Sequence, residues 1–170
     1  ARIDNPFKQP TYSPIPEPLT VSVGNNLSIN AKSNQPADLK LYFNGTQISN
    51  LNNANEIATN TTIVSGGQQT IVVEATASSV TKYDTLKFFI NVTPNIAALP
   101  SGVKDGINYE PGDTSVTLVL FAPNKSNVSL IGDFNNWTQT IQHQLNKTPD
   151  GNRFWIRLTG LTPSTEYAYQ

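Results

Sequence analysis

The sequence predicts an all-β protein made of two immunoglobulin-like β-sandwich domains in tandem, the second incomplete at its C-terminal end. Three observations predict it. Apolar residues alternate with polar ones in short runs. Gly, Pro and Asn interrupt those runs at turn spacing. No long stretch carries the 3.6-residue apolar period of an amphipathic helix.

The elements follow in order. Residues 1–14 read as an N-terminal extension, and residues 15–93 as the first sandwich. Leu19 to Val23 alternates and ends at Gly24-Asn25-Asn26. Leu27, Ile29 and Ala31 then share a face, as do Leu39, Leu41 and Phe43. Asn44-Gly45 follows, a tight-turn pair because both residues tolerate positive φ. Thr46-Gln47-Ile48 starts the return strand. The Asn-rich stretch 50–60 reads as a loop crossing between sheets or a short helix around Glu56. Gly66-Gly67 precedes a β-branched strand from Thr70 to Ala75, and Thr85 to Val92 closes the unit with Leu86, Phe88 and Ile90 on one face. About seven strands are expected here.

Pro94, Pro100, Gly102 and Gly106 punctuate a strand-poor stretch, so 94–106 reads as a linker. Residues 107–170 form the second unit. Val116, Leu118 and Leu120 alternate with Thr117, Val119 and Phe121. Val128 to Ile131 reads as the next strand. Phe154, Ile156 and Leu158 face one way, with Arg153, Trp155 and Arg157 opposite. Thr165 to Gln170 reads as a strand, and the sequence stops inside it.

Composition narrows the function. Only 14% of residues are charged and the net charge is −1, so nothing builds the basic face that nucleic acid requires. No apolar run approaches the ~20 residues of a membrane-spanning helix. With no cysteine, disulfides, thiolate nucleophiles and Cys-ligated zinc are excluded. That absence also favours a bacterial surface, periplasmic or secreted protein over a secreted animal one.

No catalytic residue is expected. The single histidine, His143, lies between Gln142 and Gln144 without an evident partner. There is no G-x-S-x-G elbow, and no carboxylate pair stands out for glycoside hydrolysis. Asp150-Gly151-Asn152 resembles part of a calcium loop, but Asp-Gly is far more often a hairpin turn. No metal site and no cofactor are expected.

The aromatic residues are more informative. Gly132-Asp133-Phe134-Asn135-Asn136-Trp137 is the most distinctive segment. One reading is a strand end with Phe134 in the core and Trp137 packed beside it. The other is an exposed Trp137 whose flat face stacks on a sugar ring while Asn135 or Asn136 bonds the hydroxyls. Trp155 faces outward by alternation, where it lines a sugar site or, the more common fate, packs against the first domain or a further one.

From Val116 onward these pieces resemble the carbohydrate-binding module of family forty-eight. Val116 to Pro123 corresponds to the strand ending in a Trp-Ala-Pro-like corner, with Phe121 in place of the usual Trp. Asn127 to Trp137 corresponds to the hallmark strand and loop. Gly151 to Leu161 and Tyr167-Ala168-Tyr169 correspond to later strands. The resemblance implies an α-glucan-binding role for Trp137. It also points to Gln170, where the family often has Lys.

The tandem arrangement resembles the N-terminal region of secreted bacterial α-amylase-family enzymes, glycoside hydrolase family thirteen. That implies a non-catalytic chain whose partners are an α-glucan and a catalytic domain downstream in the same polypeptide. Two rivals remain: spacer modules that brace a catalytic barrel without binding sugar, and a surface-glycan-binding or adhesion protein.

Overall fold

A computed structural model describes residues 1–7 and 21–170. The chain forms two compact units, Ala1–Ile90 and Asn91–Gln170. Both are β-structures, and the described helices are single 3-10 turns.

Among the described residues the first unit has five strands: β1 (Arg2–Asp4), β2 (Asn26–Phe43), β3 (Thr46–Thr62), β4 (Gly67–Ala77) and β5 (Val80–Ile90). Strand β2 pairs with β3 along one side, and with β1 and then β4 along the other; β4 pairs with β5. All these pairings are antiparallel. Among the described residues, long strands such as β2 and β3 replace several of the short ones expected. The β2–β3 register slips between Lys32 and Ala37, at Pro36. Pro cannot donate to a ladder and is tolerated in strands at such bulges. On β3, Asn53 takes a left-handed φ of 50°, and its N–H donates to the Asp38 carboxylate. The bent strands wrap one core. Leu27, Ile29, Ala31, Leu39, Leu41, Ile57, Ile71, Val73 and Ile90 are buried in a single cluster that Ile3 of β1 also joins.

Several expectations for this unit change. Arg2–Asp4, expected in an extension, is a strand held to β2, and the Ile3 N–H donates to Asp84. The 50–60 stretch is neither loop nor helix but part of β3. Its Asn residues tolerate a solvent-facing ladder, and Ile57 anchors it opposite Ala31. Of the run from Leu19 to Val23, Leu19 and Thr20 lie outside the described residues, and Val21–Val23 form no strand.

Asn44-Gly45 makes the expected turn, with φ values of 49° and 80°. Asn44 does more than turn. Its Oδ1 accepts from the Thr70 N–H and its Nδ2 donates to the buried Gln69. Gln69 in turn donates to the carbonyls of Ser65 and Gly67, so its amide is satisfied inside the core.

The second unit is built on a four-stranded antiparallel sheet, β6 (Gly106–Tyr109), β7 (Ser115–Phe121), β9 (Arg153–Thr159) and β8 (Asn146–Lys147), in that spatial order. Phe154, Ile156 and Leu158 of β9 pack with Leu118, Leu130 and Leu145. This is the inward face read from alternation. Leu120, expected on that face, is half exposed near the end of β7, and Val119 on the other face is buried.

Residues 91–105, mostly expected as linker, belong to this unit. Lys147 exchanges backbone hydrogen bonds with Asn95 and Ala97, so the segment continues the sheet beyond β8. The Gln144 side chain holds the Val92 backbone through both its N–H and its carbonyl. Val128–Ile131 and Thr165–Gln170, expected as strands, make only isolated bridges, Ser129 with Gln144 and Gly132 with Tyr169.

Candidate functional site

The candidate site is the loop from Gly132 to Thr138. Backbone bonds fix its approach: the Leu130 N–H donates to His143, and Ile131 exchanges two bonds with Gln170. Gly132 then passes so close to the 168–170 segment that no side chain fits. An added Cβ would lie 2.5 Å from the Ala168 carbonyl oxygen and 2.9 Å from the Tyr169 Cβ.

A single 3-10 turn follows at Asp133–Asn135. Asn135 supplies its internal fastening. Its Oδ1 accepts from the Gly132 N–H at 2.9 Å, and its Nδ2 donates to the Leu130 carbonyl at 3.0 Å. The Trp137 N–H returns to the Gly132 carbonyl at 2.9 Å. Closing the loop puts Asn136 and Trp137 in consecutive left-handed conformations, φ 51° and 56°. Asn accepts this readily, whereas for a bulky residue it costs about 1–2 kcal/mol. Strain of this kind collects at ligand-contacting positions.

The Trp137 side chain is 47% exposed. Its Nε1–H donates to Asp133 Oδ1 at 2.9 Å, and Asp133 Oδ2 accepts from the Ala168 N–H at 2.8 Å. Of the two readings of this segment, Phe134 is partly buried against the core and Trp137 stands out of it. Beneath the loop, His143 lies against the Phe134 ring with centroids 5.4 Å apart, and its Nδ1 bonds the Thr140 hydroxyl at 2.8 Å. Burial holds the His143 pKa below its ordinary value, favouring the neutral ring.

The other candidates fall into two groups. Asn136 is exposed beside Trp137, and its side chain makes no hydrogen bond among the described residues. Gln170 is exposed too, and its backbone pairs with Ile131 at the root of the loop. Trp137 and Asn136 are thus neighbours in the loop, and Gln170 is paired through its backbone with the segment that leads into it. Asn135 shares the loop, but both ends of its amide are engaged within it.

Trp155 lies on the outward face of β9, opposite the buried Phe154, and is half-buried. Its Nε1–H donates to the Ala97 carbonyl at 3.0 Å. The flanking arginines are paired, Arg153 with Asp105 and Arg157 with Glu110. The Arg157 hydrogen bonds hold the Glu110 carboxyl below the usual range. This face is stapled by contacts within its own unit.

Asp150-Gly151-Asn152 is a hairpin turn. Asp150 accepts from the Thr148 hydroxyl and from the Asn152 N–H and side-chain amide, so its oxygens serve the turn. A cleft of about 360 Å³ also opens in this unit, lined by Val116, Leu118, Phe134, Leu158, Tyr167 and Tyr169 among others; Trp137 is not part of its wall.

The sequence did not single out Asp133; the reversal through left-handed Asn136 and Trp137 brings the Trp137 indole back to it, a geometry the residue types alone do not reveal.

The second unit is thus an all-β module that carries a half-exposed tryptophan on a loop closed by its own hydrogen bonds. Residues 105–170 match the model of Carbohydrate-binding module 48 (Isoamylase N-terminal domain). That match makes the segment, not the rest of the chain, similar to this family of glycogen- and starch-binding modules. Two curated relatives are similar to the chain. They are the 1,4-alpha-glucan branching enzymes GlgB of Synechococcus sp. strains JA-2-3B'a(2-13) and JA-3-3Ab. Each is 36% identical over 59 residues, which is 35% of this chain and 8% of the relative. The chain therefore matches a small part of either relative's length.

Proposed function

We propose that the second unit binds α-glucan through the Trp137 loop, and that the chain is the non-catalytic N-terminal region of an α-glucan-acting enzyme. One observation carries the binding role. Within the matched segment, Trp137 is half exposed and its indole is held in place, on a backbone that a tryptophan adopts only at a cost. A flat apolar face then meets the C–H groups of a glucose ring, while Asn136 and Gln170 supply polar groups beside it. Asn135 acts indirectly by bracing the loop. Trp155 braces the outward face by holding Ala97.

A single aromatic platform gives modest affinity, in the micromolar to millimolar range or about 4–8 kcal/mol. Such affinity serves a tethered enzyme by raising its local concentration on a polymer. The similar proteins are 1,4-alpha-glucan branching enzymes, which supports an α-glucan as ligand. Affinity electrophoresis through a gel containing amylopectin tests the proposal. The wild-type chain is retarded and Trp137→Ala runs free. Equal mobility with and without the polysaccharide contradicts binding and favours the bracing role alone.

A further inference from the structure

We propose that Asp133 is the positioning residue of the sugar platform, setting the indole plane of Trp137 and leaving only its face to the ligand; this rests on the glucan reading above. Three contacts carry the inference. Asp133 Oδ1 accepts from the Trp137 Nε1–H at 2.9 Å. Asp133 Oδ2 accepts from the Ala168 N–H at 2.8 Å, and the Asp133 N–H donates to the Ala168 carbonyl at 3.1 Å. Asp133 is thus tied to Ala168 at two points, by its backbone N–H and by one carboxylate oxygen, while the other carboxylate oxygen reaches the indole. Each oxygen accepts from a different N–H. A carboxylate meets both demands, whereas an Asn at this position offers one acceptor and one amide donor, so one of the two bonds is lost.

The consequence for recognition is specific. An exposed tryptophan turns about two side-chain torsions, and immobilising such a side chain upon binding costs affinity. Asp133 removes that cost in advance. It also consumes the indole N–H, so Trp137 contributes a stacking surface and no donor to a sugar hydroxyl. Hydrogen bonding to the sugar falls to neighbours such as Asn136.

The test uses the whole 170-residue chain labelled with ¹⁵N. Its two indole resonances are assigned from Trp137→Phe and Trp155→Phe. In the wild type, the Trp137 indole proton exchanges with water about tenfold more slowly than in free tryptophan, as a charge-assisted bond requires. Asp133→Asn abolishes that protection and leaves the Trp155 resonance in place. Maltoheptaose affinity is then measured in a double-mutant cycle. Asp133→Asn weakens binding about three- to tenfold when Trp137 is present, the scale of fixing one side chain, and has no further effect in the Trp137→Phe background. Equal weakening in both backgrounds overturns the proposal, because Asp133 would then act on the loop as a whole. An unprotected wild-type indole overturns it without reference to any sugar. A protected indole with no sugar binding overturns the glucan reading instead, and the positioning role with it. If Asp133→Asn does not fold, the wild-type exchange rate and Asp133→Glu, which keeps two acceptors on a longer arm, still decide.

Discussion

Replacing Gly132 by alanine tests the packing that raises the loop. At this residue φ is 175°, ordinary extended backbone open to any amino acid. If space allowed, Gly132→Ala would stabilise the fold by about 0.4–1 kcal/mol through the unfolded chain's lost freedom. The structure reverses the sign. The new methyl would lie 2.5 Å from the Ala168 oxygen, 2.8 Å from the Phe134 ring and 2.9 Å from the Tyr169 Cβ. The first of these neighbours is backbone and cannot rotate away. Relief requires moving the 168–170 segment, which strains the Asp133–Ala168 and Ile131–Gln170 hydrogen bonds. Overpacking of this kind costs about 1–3 kcal/mol, and each weakened bond about 1 kcal/mol. We therefore expect a net loss of about 1–3 kcal/mol after the unfolded-state gain. Both tryptophans lie in the second unit, so their fluorescence follows its unfolding alone. With a urea dependence of about 1 kcal/mol/M, the midpoint falls by about 1–3 M. An unchanged or raised midpoint would refute the close approach at Gly132.

Three further predictions concern the cores and the histidine. Phe154 is fully buried at the centre of the second unit's core, so Phe154→Ala should cost about 3–5 kcal/mol and leave little cooperative tryptophan transition. Asn44→Ala places a non-glycine Cβ without a compensating amide in a left-handed turn and strips the Thr70 N–H of its side-chain acceptor. About 1–2 kcal/mol should be lost from the first unit, read by calorimetry because that unit has no tryptophan. The third prediction is a pH dependence. With its folded pKa lowered by burial, His143 takes up a proton more readily in the unfolded chain. Its contribution is complete above the ordinary value of ~6.5 and is lost as pH falls from there through the lowered folded value. The second unit's urea midpoint should drop over that window, and His143→Gln should flatten the drop.

Much of the fold is written locally. The alternation in Phe154, Ile156 and Leu158 sets the inward face of β9, and Asn44-Gly45 sets a turn whose φ values only a few residues accept. The stretch from Asn50 to Asn60 is different. Its Asn residues favour turns in isolation, and it becomes strand because β2 offers a ladder and Ile57 a buried partner opposite Ala31. The continuity of β2 through Pro36 was likewise hidden, since a proline reads as a break until the bulge that tolerates it is seen. At the site, the Trp137 segment stood out by composition and by resemblance. The commitment of Asn135 within the loop, and of the Trp155 indole to Ala97, depended on contacts with other parts of the unit. Ala97 comes from a segment whose Pro and Gly content reads as linker. Asp133 was obscured for the opposite reason: an acidic residue in a polar loop looks solvated until both its oxygens are seen to be engaged.

The most direct measurement is a maltoheptaose titration of the Trp155→Phe chain, in which Trp137 is the single remaining tryptophan. Stacking on a glucose unit replaces water on the indole face, so the account predicts a saturable change in fluorescence intensity and emission wavelength. Half-saturation should fall between micromolar and millimolar sugar, and cellohexaose should give no such change. A flat titration at millimolar maltoheptaose, with the second unit shown to be folded, would contradict α-glucan binding at this loop.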